Sequence, residues 1–540
     1  MHIDFREAGQ SEHRAEICVI GAGVAGISIA RRLLDAGHSV TILESGGFDY
    51  EADIADLNAG PSVGEEYYEL DHARLRMFGG TTAIWGGRVA ELDPIDFRKR
   101  AWIRHSGWPI GYHDLRPYYD QAYASFDLPA GMPTANDFQS AGLRLPDFDE
   151  ARLGIRSWAF DRRYNRFTYR SCQDLVDHER CTIFTHATVA EIEVSDDTGR
   201  VTGLQVRDVR GKAMRVVARI FVLASGGIEN PRILLASRAV MASGIGNGHD
   251  LVGRFFMEHP HARGGRIVAS RTWDLLKAFG RRHSIGGVTA AALLVQGEKY
   301  QASEQSLNTS LTIAPRQGAD KVQFWAMRAY NRIKHDLAPS KGARAAWMSV
   351  KRTAATVQSA IDPLRPWLLN RLGYLELALL VRSEQAPNPD SRVQLADEAD
   401  ELGVPRAKLD WRLNELDIHS VERLVAAVGT EFERLDLGRV EPASWLSGDD
   451  RRWQTDKLVS AHPIGGYHHM GTTRMADDPR HGVTDAFGRV HGIANLYIAG
   501  SSLFPTSGWA NPTLTIVALA LRSGDHIAQR LAANDAPPAS

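Results

Sequence analysis

Residues Ile17–Ile20 form a short unbroken apolar run, apolar positions then recur at helical spacing through Leu34, and Ser39–Leu43 returns to β-favouring residues. This order predicts a strand, a helix and a second strand, with Gly21, Gly23 and Gly26 at the first turn. Gly21 permits the tight turn, Gly23 lets the backbone approach a pyrophosphate, and Gly26 lets helix and strand pack closely. The helix start, with its free N–H groups and positive dipole end, favours the phosphates. Glu44 closes the second strand 18 residues beyond Gly26, where a carboxylate can accept hydrogen bonds from a ribose. A glycine-rich structural turn is the plain alternative for an isolated G-x-G-x-x-G, but strand, helix and acidic end together predict dinucleotide binding. The acidic end favours an unphosphorylated ribose, as in FAD or NAD, over NADP.

Two further apolar runs close on glycine. Arg219–Ser225 precedes Gly226-Gly227, and Asn495–Ala499 ends at Gly500; helices are expected from Pro231 and after Pro512. Strands scattered this widely imply one nucleotide domain assembled from separated pieces, 12–98, 175–256 and 458–535. Residues 99–174 and 257–457 are expected to form a substrate domain, with flexible ends at 1–11 and 536–540. Residues 328–371 carry nine Lys or Arg against two Asp, and Trp347, Val350, Ala354, Val357 and Ile361 recur at spacings of three and four. That pattern predicts an amphipathic helix: a solvated face over a core stripe, or alternatively a lid, an oligomer contact or a docking surface for an acidic electron acceptor.

Composition narrows the classes. The 540 residues are 44% hydrophobic, enough for more than one core, and the net charge of −2 lacks the basic surplus a nucleic-acid binder needs. Three cysteines, Cys18, Cys172 and Cys181, cannot build a disulfide framework or a four-cysteine metal site, and ordinary packing is expected for Cys172 and Cys181. The run Ile516–Leu521 is about a third of the ~18 apolar residues that a membrane helix requires, and no basic region followed by an apolar core marks a secretory signal. A soluble cytoplasmic protein without a membrane span is therefore expected; homo-oligomerisation stays open.

The segments GAGVAGISIARRLLDAGHSVTILESG, RMFGGTTAIWGGRV, WPIGYHDLRPYYDQA, VLASGGIENPRILLAS, DLVGRFFMEHP and EQAPNPDSRVQL stand in the order expected of glucose–methanol–choline (GMC) oxidoreductases. So does HHMGTTRMADDPRHGVTDAFGRVHGIANLYIAGSSLFPTSGWANPTLTIVALALRSGDHI, the most specific of them. The chain resembles this family over nearly its whole length, about 265–380 excepted, and within it the branch of pyranose oxidases and bacterial glycoside and sugar oxidoreductases. The resemblance implies an α/β fold (α+β overall): a Rossmann-like FAD-binding domain of the flavin-hydroxylase type, and a substrate domain whose antiparallel sheet is covered by helices. It implies FAD contacts at Gly21, Gly23, Ala25, Gly26, Glu44, Ser45, Gly80, Thr81, Thr82, Trp85, Gly86, Val189, Ala224, Gly226, Gly500, Asn511 and Thr513. Ile84 stands where covalently flavinylated pyranose oxidases carry histidine, so FAD is expected to be non-covalent. Gly86 either opens room for a bulky substrate, or changes how the reduced flavin meets oxygen, or simply makes a tight turn.

Oxidation of an alcohol by flavin needs a base for the hydroxyl proton and hydride transfer to flavin N5, and a base titrating near neutrality points to histidine. The resemblance assigns that role to His468, three residues before Gly471-Thr472, with Asn511 holding the substrate oxygen. His469 faces elsewhere if the segment is extended. Asn511 also reads as a helix N-cap before Pro512. His259, in Met257-Glu258-His259-Pro260, reads as structural. A zinc site from His462, His468 and His469 lacks a fourth ligand at sensible spacing, so no metal is expected. The expected enzyme is an FAD-dependent oxidoreductase converting a secondary CH–OH group of a small-molecule alcohol, a sugar or glycoside ring hydroxyl, to a ketone. Oxygen or another acceptor reoxidises the flavin. The alternatives are a GMC dehydrogenase of another cyclic or natural-product alcohol, a non-redox hydroxynitrile-type lyase, and a non-catalytic nucleotide-binding protein.

Overall fold

The computed structural model describes residues 1–163, 165–318, 362–448, 451–455 and 467–535. The expected βαβ unit is the strand Glu12–Ile20, the helix Val24–Asp35 and the strand Val40–Leu43. Of the first strand, Ile17–Ile20 are fully buried, which is the stretch the apolar run marked. Cys181–Thr185, Val40–Leu43, Glu12–Ile20 and Ala213–Leu223 lie side by side in parallel, and Leu496–Ile498 joins in parallel at Phe221–Leu223. Strands buried on both faces need continuous apolar runs, so the three runs read from the sequence meet in one sheet. Val201–Arg207 and Thr188–Val194 extend it antiparallel.

Three expectations are corrected here. Residues 1–11 do not form a loose end: His2–Asp4 pairs in parallel with Cys181–Thr185, Phe5 is buried, and the Met1 ammonium donates to the Val176 and Cys181 carbonyls. The helix expected from Pro231 begins five residues earlier, as Gly226–Ala236. A proline inside a helix leaves the carbonyl four residues back without its N–H partner. That carbonyl, Gly227 O, accepts instead from the Thr472 hydroxyl at 2.6 Å. The helix after Pro512 runs Thr513–Asp535, but Asn511 turns its side chain away from it, as described below.

A second large sheet is antiparallel, in the order Arg439–Pro442, His261–Val268, Glu376–Arg382, Ser310–Arg316, Val288–Gln296, Leu153–Phe160 and Arg88–Val89. Arg88–Val89, which the sequence reading grouped with the nucleotide-binding pieces, is the edge strand of this sheet. The helix Glu415–Arg434 packs its apolar stripe of Ile418, Val421, Leu424, Val425, Val428 and Phe432 into the core beneath the sheet. Asn414 caps that helix, accepting from the Leu416 and Asp417 N–H groups while Asp417 reaches back to the Asn414 N–H. Most of the basic amphipathic stretch, 328–361, lies outside the described residues, as do His462 and 536–540. Among the described residues, no helix is long and apolar enough to cross a membrane.

Candidate active site

A continuous cavity of about 2610 Å³ is lined by residues of both large sheets. All the sequence-predicted site residues line it except Gly26. Gly26 sits one layer back, where an added Cβ would stand 2.0 Å from the Gly21 carbonyl oxygen; this is the close packing its glycine permits. Gly21 itself has a left-handed φ of 102°, and a Cβ there would meet the Ala224 carbonyl oxygen at 2.8 Å. Gly23, at the start of the Val24–Asp35 helix, has open space where a side chain would be, and no side chain caps the helix. The Glu44 carboxylate is buried and accepts from the Ala22 and Gly46 N–H groups, each at 2.9 Å, so backbone holds it in place at the cavity wall. Burial raises its pKa. Ser45 is held by Thr188 at 2.7 Å and by Arg76 at 2.9 Å. Trp85 carries a buried indole N–H with no partner, an orphan donor lining the same space. Positive-φ glycines, an uncapped helix start and an orphan donor fit a bound dinucleotide.

The catalytic candidates meet at the other end, where one hydrogen-bonded chain settles their tautomers. His259 Nε2 lies 2.8 Å from the Gly508 carbonyl oxygen, which can only accept, so Nε2 carries the proton. Burial holds the His259 pKa down at about 3, so its ring is neutral and Nδ1 is a lone pair. His468 Nδ1, 2.8 Å from that lone pair, must therefore donate. Burial first, and then the neighbouring His259 and Arg382, push the His468 pKa well below the ordinary histidine value. Neutral His468 is thus protonated on Nδ1 and keeps an acceptor lone pair on Nε2. Asn511 Nδ2 faces that atom at 3.2 Å, and Asn511 Oδ1 accepts from Arg382 NH1 at 2.9 Å. Both ends of the Asn511 amide are thus engaged by the site and not by the helix terminus, which overturns the N-cap reading.

Glu258 supports the arrangement from below. Fully buried, it accepts from the Tyr67 hydroxyl at 2.6 Å, from the His468 N–H at 3.0 Å to each oxygen, and from the His259 N–H at 3.2 Å. Burial pushes its pKa up to about 8 against the pull of these donors. His469 points elsewhere: its Nε2 is 3.7 Å from Glu258 Oε1, and its ring packs near Tyr67 and Phe256. The sequence reading missed His259 as a partner of His468, and it missed Glu258 and Arg382 altogether. The available signals were charged and titratable residues inside apolar stretches, Phe255-Phe256-Met257-Glu258-His259 and Leu377–Arg382.

Together these groups can take a hydroxyl proton at His468 Nε2 and stabilise the oxygen left behind, through the Asn511 amide and the Arg382 charge. Among the described residues, no group of three or more His, Cys, Asp or Glu side chains is placed to hold a metal ion.

Known proteins resemble the chain in both halves of this picture. A family model described as GMC oxidoreductase matches residues 387–520, and one described as FAD dependent oxidoreductase matches residues 16–246. The chain is 25% identical to the 2-methyl-1,2-propanediol dehydrogenase of Mycolicibacterium austroafricanum, with 96% of each chain covered. It is 27% identical to the C-glycoside 3-oxidase of Microbacterium trichothecenolyticum, over 65% of this chain and 55% of that one. Among solved structures, pyridoxine 4-oxidase from Mesorbium loti has a similar fold, with a TM-score of 0.55 at 17% identity, covering 95% of this chain and 99% of that one.

Proposed function

The chain belongs to the GMC oxidoreductases and is FAD-dependent, and from that premise we propose that it oxidises a secondary CH–OH group on a sugar or glycoside ring to the ketone. Gly21, Gly23, Ala25 and the Val24–Asp35 helix start would hold the pyrophosphate, and Glu44 the ribose. Gly80, Thr81, Thr82, Trp85, Gly86, Asn511 and Thr513 would border the ring system. A flavin bound there would supply the hydride acceptor. Ile84 offers no nucleophile, so the cofactor is held without a covalent bond at that position. Oxygen or another acceptor would reoxidise it.

His468 Nε2 receives the hydroxyl proton. Its Nδ1–H, pinned by His259, keeps that lone pair available. Asn511 Nδ2 orients the substrate oxygen, and Arg382 places positive charge behind the amide as negative charge grows on that oxygen. The observation that carries the reading is the deprotonated Nε2 of His468 beside the Asn511 amide on the cavity wall. The relative named C-glycoside 3-oxidase supports a glycoside; the one named for 2-methyl-1,2-propanediol supports a small diol as the second reading.

The test is His468→Ala in the FAD-loaded protein. Anaerobic bleaching of the flavin band by substrate should slow by about 10²–10⁴-fold while FAD stays bound. His469→Ala, the control, should bleach far faster than His468→Ala. An unchanged bleaching rate in His468→Ala would remove His468 from the mechanism, and turnover of an alcohol without any bleaching would favour lyase chemistry.

A further inference from the structure

The wall of the cavity built by the antiparallel sheet carries three arginines and two aromatic rings. Arg88 and Arg382 each place the guanidinium carbon 5.1 Å from the centroid of Trp158. Arg88 is also 5.9 Å from the Phe160 ring, and Arg282 lies over Phe160 at 3.7 Å. All five side chains line the cavity. A guanidinium held over a ring keeps N–H groups that can donate to planar or tetrahedral oxyanions.

What distinguishes this cluster is that Arg88, Arg282 and Arg382 have no ion-pair partner among the described residues. Arg74 and Arg76, elsewhere on the same cavity, are paired with Glu229 at 2.9 Å. Among the described residues, neither Arg88 nor Arg282 has a hydrogen-bond or ion-pair partner. Arg382, buried at 7% exposure, donates to His261 Nε2 and Asn511 Oδ1, neither of them a carboxylate. The Arg88 Nε and the Trp158 indole N–H are buried donors with no acceptor among the described residues. Burial and the Arg282 charge lower the Arg88 pKa to about 10, and burial with the Arg88 charge lowers that of Arg382; Arg88 stays protonated at neutral pH. Like charges gathered in a partly dry wall, with orphan donors beside them and no paired carboxylate among the described residues, favour a bound anion.

We propose that the alcohol oxidised at His468 carries an anionic group, a carboxylate or a phosphate ester, held by Arg88, Arg282 and the Trp158 indole N–H, with Arg382 bridging toward the reacting oxygen. This rests on the alcohol oxidation proposed above and makes the substrate an acidic sugar derivative or a comparable hydroxy acid. Arg88 has two terminal nitrogens without a partner among the described residues, and a guanidinium so left can bind carboxylate or phosphate in a bidentate way. A neutral ring would leave these donors unsatisfied, which is how a site built for polar contacts rejects the analogue that lacks them.

The experiment uses the full-length, FAD-loaded protein. Matched pairs, glucose with glucuronate and glucose with glucose 6-phosphate, are compared by anaerobic flavin bleaching, and sulfate binding is followed by calorimetry. The acidic member should reduce the flavin at least about tenfold more efficiently, and the carboxylate and phosphate arms identify which oxyanion fits. Arg88→Met keeps an apolar stem on Trp158 and removes the charge. It should weaken sulfate and acidic-alcohol binding about 10- to 100-fold, with Arg88→Lys recovering part of the loss and the flavin midpoint potential unmoved. Equal reduction by neutral and acidic partners, or sulfate binding unchanged in Arg88→Met, would overturn the proposal. So would an Arg88→Met variant that shifts the midpoint potential and slows both classes alike, because the cations would then serve the flavin. If no alcohol bleaches the flavin yet sulfate binds in an Arg88-dependent way, the alcohol-oxidation reading fails while the anion site stands.

Discussion

Replacing His259 tests whether the base is set by its neighbour. His259 supplies the acceptor that obliges His468 to carry its proton on Nδ1, at 2.8 Å, and Gly508 in turn obliges His259 to offer Nδ1 as that acceptor. Leucine at 259 leaves a buried Nδ1–H without a partner, a loss of about 1–3 kcal/mol, which at ~1.4 kcal/mol per tenfold lowers the population of the Nδ1–H tautomer roughly 5- to 140-fold. The first-order rate of anaerobic flavin bleaching at saturating substrate should fall by that factor. Asparagine at 259 can set its Oδ1 where the imidazole Nδ1 stood, whereas glutamine sets its amide where Nε2 stood. His259→Asn should therefore recover much of the rate, while His259→Gln should resemble His259→Leu. Thermal melts of all three keep folding losses separate from the rate effect. Equal rates in the asparagine and leucine variants, at equal stability, would refute the tautomer argument.

Three further outcomes follow from the same geometry. Asn511→Asp keeps the acceptor for Arg382 but turns a carboxylate oxygen toward His468 Nε2, so the ring should be driven to hold a proton there; FAD should stay bound, reduction should slow by about 10²-fold, and a variant bleaching at the wild-type rate would sink the assignment of Asn511. As the proposed base, His468 could take a proton only when neutral, and its pKa is held well below the ordinary 6.5, so kcat/KM should stay level as the pH falls through 6.5 and decline only below it; an acid limb centred at 6.5 or higher would contradict the burial argument. Acid precipitation should leave yellow flavin in the supernatant, because the covalent relatives' histidine position is Ile84 here; colour retained in the pellet would show a covalent bond.

The nucleotide end was legible in the sequence because its constraints are local. A left-handed Gly21, a Gly26 with no room for a Cβ and a four-residue apolar strand each write themselves into consecutive positions. His468 and Asn511 were named through the family motif alone, and the structure brings them within 3.2 Å across 43 positions of chain. Their supports were hidden for the opposite reason. His259 and Arg382 come from distant segments, and no spacing rule links either to His468. Only pairing of Met257 with Met470, and of the Glu376–Arg382 strand with its neighbours, brings them to the site. Local capping chemistry misled at Asn511, because a residue can satisfy the N-cap pattern in sequence while its side chain serves a stronger partner in space.

The peptide carbonyl that ends the histidine pair has one more consequence, for traffic. A carbonyl oxygen accepts a hydrogen bond but does not carry a proton onward at neutral pH, so the row from His468 through His259 to Gly508 is a cul-de-sac. A proton gained at Nε2 has no rear door to bulk water along that row. In the proposed oxidation it would leave on the cavity side, either to solvent or with the acceptor that reoxidises the flavin. On that proposal, a ketone lingering beside Asn511 would also cover the protonated Nε2 of His468. Small permeant bases that fit beside Asn511 should speed recovery of the resting enzyme, whereas larger buffers of the same pKa should not.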